Sequence, residues 1–188
     1  MKKTSYLLLL AGLTVGVRIT QATTVIPPTF DELVSQAEVI FQGDVTDVKS
    51  QWVGEGAQRH IVSYVTFKVE DALKGTPGQS YTIRMLGGTV DGETMGVSDT
   101  PKFKVGDKDI LFVQNNGSQF VPLVGIMHGR FHVKRDQTGQ EVVSNNENEP
   151  VKNVARLGRA AEAADGPEAN LTAADFKAAV KSKLQAPK

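Results

Sequence analysis

Ile61-Val62-Ser63-Tyr64-Val65-Thr66-Phe67-Lys68-Val69-Glu70 decides the fold class. Ile61, Val65, Phe67 and Val69 alternate with Val62, Tyr64, Thr66, Lys68 and Glu70, the period-two spacing of a β-strand. The run ends at Leu73-Lys74-Gly75, and Thr76-Pro77-Gly78 reads as a turn. Upstream, Val39, Phe41 and Val45 oppose Gln42, Asp44 and Thr46, after which the apolar phase slips to Val48. Such a slip predicts a β-bulge near Thr46-Asp47. Ser50 to Gln58, with Gly54 and Gly56, reads as the loop between these two strands, and it carries Trp52.

Downstream, Tyr81, Ile83 and Met85 mark a third strand that closes at Gly87-Gly88. Gly88 to Gly106 reads as a long, polar, irregular connection holding Asp91, Glu93 and Asp99. Ile110-Leu111-Phe112-Val113 is apolar on both faces, which predicts a central strand. Asn115-Asn116-Gly117-Ser118 has the composition of a tight hairpin turn, with Phe120 to Val124 returning. Phe131 and Val133 give another strand, Asp136 to Gly139 a turn, and Glu141-Val142-Val143 a last short strand. Ahead of all these, Thr29-Phe30-Asp31-Glu32 reads as a capping box opening a short helix with Phe30, Leu33 and Val34 inward. Roughly six or seven short strands after one helix predict a mostly-β domain, a small barrel or sandwich, over residues 23–144.

The two ends differ from this core. Lys2 and Lys3 precede an apolar stretch from Leu7 to Val17, and Thr20-Gln21-Ala22 places small residues where a signal peptidase reads. This is the layout of a secretory signal peptide over residues 1–22, too short to span a bilayer, which needs about 20 apolar residues. Cleavage after Ala22 removes Lys2, Lys3 and Arg18 and no acid, so the formal charge falls from zero to −3. An exported chain of that charge has no electrostatic reason to seek nucleic acid or anionic lipid. Its expected place is the periplasm or the medium, with no membrane anchor after cleavage. No cysteine is present, which excludes disulfides, a thiol nucleophile and Cys-ligated metal. Residues 145–170 are rich in polar residues, Ala, Gly and charge and read as a mobile linker. From Leu171 onward Thr172 caps a helix, Asp175 sits at its third position, and Phe176, Val180 and Leu184 form an apolar stripe. That stripe is expected to dock on a partner or back on the barrel.

Three segments together carry a resemblance. They are Ala37-Glu38-Val39-Ile40-Phe41-Gln42-Gly43-Asp44-Val45, Val65 to Glu70 with Leu73-Lys74-Gly75, and Phe103-Lys104-Val105-Gly106-Asp107 with Ile110 to Val113. This pattern resembles the netrin-like/TIMP-like group. It resembles more closely uncharacterised secreted bacterial proteins that share the Gly87-Gly88 pair and the terminal helix. The resemblance implies an OB-like (TIMP/netrin-like) barrel with a short N-terminal helix and a C-terminal helix. TIMP-type inhibitors place a disulfide-held N-terminal cysteine on the protease zinc; here the first mature residue is Thr23 and that ligand is missing.

Chemical signatures are sparse. His128 and His132 share helical metal-ligand spacing, but on a strand they stand about 13 Å apart, so no metal and no cofactor are expected. Gly96-Val97-Ser98-Asp99 lacks the second glycine of a nucleophile elbow. Asn116-Gly117-Ser118 and Asn170-Leu171-Thr172 match a glycosylation sequon and are accounted for by a turn and a helix cap. The expected function is a non-catalytic, secreted or periplasmic binding module with a protein or glycan partner. Its expected surface is Trp52, Gly87, Gly88, Asp91 and Glu93, with Phe176, Val180 and Leu184 as an interaction helix. Two other classes remain open: a protease inhibitor acting through residues 23–28, and a hydrolase using the carboxylates of Asp91 and Glu93.

Overall fold

The computed structural model describes residues 26–98, 100–159 and 169–186. The expected signal segment 1–22, Thr23 and Asp99 lie outside the described residues. The chain is mostly β. Helix α1 (Phe30–Gln36) is followed by strands β1 (Val39–Val53), β2 (His60–Lys74), β3 (Ser80–Leu86), β4 (Gly88–Val90), β5 (Glu93–Met95), β6 (Lys108–Val113), β7 (Arg130–Arg135) and β8 (Glu141–Ser144), and then by helix α2 (Ala173–Gln185). Six strands form one antiparallel sheet in the order β3-β2-β1-β6-β7-β8, while β4 and β5 make a separate hairpin. The six-stranded ladder is open, with β3 and β8 at its edges.

Strand β6 sits between β1 and β7, as its two-faced apolar sequence requires. The alternation of side chains divides the molecule into two cores. Ile40, Ile110, Phe112, Phe131 and Val133 face one side, where they meet α1 and α2. Phe41, Val45, Val65, Phe67, Leu111 and Val113 face the other. The sheet bends between them. Register shifts occur at Ile40/Phe41, Gln42/Gly43 and Val45/Asp47, and the last is the bulge read from the sequence. A Cβ on Gly43 would lie 2.6 Å from the carbonyl oxygen of Lys68, so only glycine lets β2 approach at this bend.

Helix α1 begins with the capping box: the Thr29 hydroxyl accepts from the Glu32 amide and the Glu32 carboxylate accepts from the Thr29 amide. Helix α2 is capped by Thr172, and it docks back on its own sheet. Phe176 and Val180 are fully buried, and the Phe176 ring lies 4.8 Å from Phe131 and 6.0 Å from Phe30, centroid to centroid. The stripe expected to dock on a partner or back on the barrel thus packs on its own sheet through Phe176 and Val180; Leu184 remains 37% exposed.

The expected linker also differs. Val151 is buried, its amide donates to Val143, and Leu171 exchanges backbone bonds with Val143 and Val151. Residues 145–159 thus cover the edge of β8, with a 3-10 turn at Val154–Arg156. The sequence hid this because the polar turn 145–149 is stabilised by Asn145, whose Oδ1 accepts from the Glu147 and Glu149 amides, while its few apolar residues carry the packing.

Truncating Phe176 to Ala is expected to cost about 3–5 kcal/mol. Leu184→Ala should cost about 1 kcal/mol or less. Chemical denaturation of both variants measures the difference, and equal costs would contradict the docking of α2.

Candidate functional site

The expected surface separates into a cleft and a tip. Gly87 and Gly88 line a cleft of about 400 Å3. Its floor is the inner face of β1–β3, with Val48, Ser50, Ser63, Val65 and Met85. Its far wall is Thr94 to Val97 and Thr100 to Phe103. Lys102 is the one charged residue of this lining among the described residues. Asp91 and Glu93 are exposed at the far end of the β4–β5 hairpin and do not line the cleft.

That hairpin replaces the irregular connection expected from Gly88 onward. Val90 pairs with Glu93 across the two-residue turn Asp91-Gly92, where φ is +50° and +84°. Asp-Gly with positive φ at both residues is a preferred tight hairpin turn, so the signal stood in the sequence and was missed. The Asn115–Ser118 turn forms, the Ser118 amide donating to the Asn115 carbonyl at 3.1 Å, but it lies in a wider loop than a two-residue hairpin. Asn116 reaches across to β3, donating from Nδ2 to the Thr82 carbonyl at 2.8 Å and accepting from the Arg84 amide at 3.1 Å. The Leu86 amide then donates to the Phe120 carbonyl, and the expected return strand shrinks to a single bridge, Val113 to Leu123. The local turn and the pairing of Asn116 with the open edge of β3 form together.

The glycine pair is shaped by a serine pair. Ser63 donates to the Gly87 carbonyl at 2.6 Å. Its only hydroxyl proton is then used, so the 2.8 Å contact with Ser50 has Ser50 as donor. A Cβ on Gly88 would fall 2.3 Å from Ser50 Oγ and 2.4 Å from Ser63 Oγ, and φ there is +141°. The close approach that Gly87-Gly88 permits is therefore to this chain's own hydroxyls. Trp52 belongs to β1 and not to a loop, because β1 extends to Val53. It is half-buried, and the Arg59 guanidinium stacks 4.0 Å from its ring centroid.

A buried ionic network holds the far wall. Arg130 donates from Nε and Nη2 to Asp109 Oδ2 at 3.1 and 2.9 Å, from Nη2 to Asp107 at 2.8 Å, and from Nη1 to the Lys102 carbonyl at 2.8 Å. Its guanidinium also lies 4.0 Å from the Phe103 ring centroid. Asp109 is fully buried; its other oxygen meets His132 Nδ1 at 2.8 Å. Asp109, His132 and Ser144 face one another across β6, β7 and β8. A serine nucleophile needs a hydrogen bond to the imidazole; Ser144 makes no hydrogen bond to His132 among the described residues, and the cleft lining includes neither. His128 lies in the turn before β7, so the two histidines do not converge. The sequence clue to this network was an acid beside the apolar run of β6 and an Arg-x-His spacing on β7.

On the helix-covered side, Lys108 Nζ contacts both Glu70 oxygens at 2.8 Å, with Glu141 at 3.6 Å and Asp44 at 3.8 Å. The Lys108 hydrogen bond holds the Glu70 carboxyl below its usual range, and the same bond raises the Lys108 ammonium. Burial, followed by the Glu70 charge, pushes Asp44 up. The ammonium occupies the centre of this carboxylate group, so the cluster is a closed structural pairing. No group of three or more His, Asp or Glu side chains is disposed to hold a metal ion among the described residues.

The chain matches no protein-family model and no curated protein. The reading of its function therefore rests on its own geometry.

Gly88→Ala is expected to destabilise the fold by about 1–3 kcal/mol through overlap with Ser50 and Ser63. Gly92→Ala, also at positive φ but with nothing within 4 Å, isolates the backbone cost alone, about 1 kcal/mol. Thermal unfolding of both variants checks this; equal losses would mean that the serine contact contributes nothing.

Proposed function

We propose that this chain is an exported, non-catalytic binding module whose ligand enters the cleft beside Gly87-Gly88. The observation that carries the reading is the cleft itself, about 400 Å3, within the range of small-ligand and side-chain pockets. Its lining is valine, methionine and phenylalanine interspersed with serine and threonine hydroxyls. Such a lining favours an uncharged ligand with apolar groups and a few hydrogen-bonding positions. The wall is held by the Arg130 network and the floor by the sheet, so the cavity is pre-formed.

The OB-like barrel belongs to the same reading. The inner core of β3, β2, β1 and β6 is curled, and the segment 114–123 runs from β6 back to β3 through the Leu86–Phe120 and Asn116 hydrogen bonds. In this view that segment stands where a closing strand would stand, as in the netrin-like/TIMP-like group. The signal-peptide pattern supports export to the periplasm or medium; with no cysteine to form a disulfide, the chain relies on its two apolar cores. A protein or a glycan is the partner class, and nucleic acid is disfavoured by charge.

Methionine methyl resonances test this. The sequence has four methionines; Met85 and Met95 line the cleft, and Met127 lines a neighbouring depression. With methyl-labelled protein, screening neutral oligosaccharides, small apolar compounds and capped peptides is expected to yield ligands that move Met85 and Met95 and leave Met127 in place. Ligands that move only Met127, or none that moves Met85 and Met95, would overturn the assignment.

A further inference from the structure

Strand β1 is paired on both sides only at its start. Val39 to Asp44 pair with β6, and Val45 closes against Gly106 and Asp107: its amide donates to Asp107 and its carbonyl accepts from Gly106. From Asp47 to Val53, β1 pairs with β2 alone, in a register with no further shift.

The direction of the backbone groups along this stretch follows from the ladder on the other side of β2. The Val69 amide donates to Gln79, and the Ile61 carbonyl accepts from Gly87, so both ends of β2 place odd-numbered residues toward β3. Antiparallel pairing alternates. The even residues Val62, Tyr64 and Thr66 therefore bond to β1, where they face Gln51, Lys49 and Asp47. The amides and carbonyls of Val48, Ser50 and Trp52 consequently point outward, away from β2. No backbone hydrogen bond reaches them among the described residues.

The outer strands of the sheet are treated differently. β3 is occupied by Asn116 and Phe120, and β8 by residues 150–151 and 171–172. The open stretch of β1 borders the cleft, which is lined on one side by Val48 and Ser50 and on the other by Thr100 to Phe103. The cleft over the sheet face thus reaches the edge of β1, where the backbone donors and acceptors of Val48, Ser50 and Trp52 have no backbone partner among the described residues. What satisfies such a row is another extended backbone.

We propose that an extended peptide segment of a partner protein adds as a strand to β1 along Asp47–Val53. Its backbone pairs with Val48, Ser50 and Trp52, and its alternate side chains, uncharged and apolar, enter the cleft. This rests on the binding-cleft reading and names its ligand class. The closure of Val45 by Gly106 and Asp107 limits the added strand to a short one. A lining with Lys102 as its one charged residue among the described residues disfavours buried charge on the peptide.

The experiment selects capped linear peptides from a displayed library on the whole mature protein. Binding is followed by the fluorescence of Trp52, the one tryptophan of the sequence, and by the Met85 and Met95 methyl signals. Selected peptides are expected to alternate apolar and polar residues. N-methylating alternate residues in one phase should weaken binding at least tenfold, and in the other phase should change it less than twofold. On the protein side, Trp52→Pro removes one outward amide at an edge position that tolerates proline, whereas Trp52→Ala removes the same side chain and keeps the amide; binding, read from the Met85 and Met95 methyl signals, is expected to be at least tenfold weaker with the first than with the second. Equal tolerance of both N-methylation phases overturns the strand pairing. So does the recovery of small neutral ligands that move Met85 and Met95 without any peptide, which keeps the cleft. The absence of any ligand at Met85 and Met95 overturns both. Self-association that buries Trp52, seen by sedimentation, would assign the edge to a second copy and also overturn the proposal.

Discussion

Everything in this fold depends on one constraint: β1 and β6 are apolar on both faces at the centre of the sheet. Ile40 and Phe41, and Ile110 to Val113, are all fully buried. A strand of this kind needs cover on two sides. The curl of the sheet supplies one cover, wrapping Phe41, Phe67 and Leu111 inside. The two terminal helices supply the other, through Phe30 and Phe176 against Phe112 and Phe131. The chain has no cysteine and hence no disulfide to assist, so the rigidity of the cleft floor derives from these two cores.

The second organising element is the Arg130 network. Burying a guanidinium and a carboxylate is costly unless their hydrogen bonds are made. Here Asp109, Asp107 and the Lys102 carbonyl take up the Arg130 donors, and Phe103 covers the guanidinium face. The geometry couples the start of β7 to the segment before β6. That segment is the cleft wall opposite β1. A polar core network therefore sets the width of an apolar site, and it leaves an open lane because β6 begins only at Lys108, after β1 has already passed its bulge.

How much was legible in advance follows the range of the forces. Local signals were read well: the capping box of Thr29 and Glu32, the bulge after Val45, the two-faced β6, the cap at Thr172. The glycine pair marked a close backbone approach, which Gly88 makes to the hydroxyls of Ser50 and Ser63. Long-range outcomes were not readable. Asn116 reached from its turn to the edge of β3, and the 145–159 segment packed through a few residues such as Val151. Asp91 and Glu93 fell on a hairpin tip, away from the cleft, because the Asp91-Gly92 turn was read as part of an irregular loop. The open stretch of β1 was invisible for a different reason. It is defined by where a neighbouring strand starts, and no single segment encodes that.

Native-state hydrogen exchange along β1, resolved by residue, tests the account most directly. Amides of Lys49, Gln51 and Val53 should be protected by β2, while those of Val48, Ser50 and Trp52 should exchange fast in the free protein and slow when a peptide is bound. Uniform protection from Asp47 to Val53 in the free protein would mean that the edge is already covered, and would contradict the open lane on which the reading of this molecule rests.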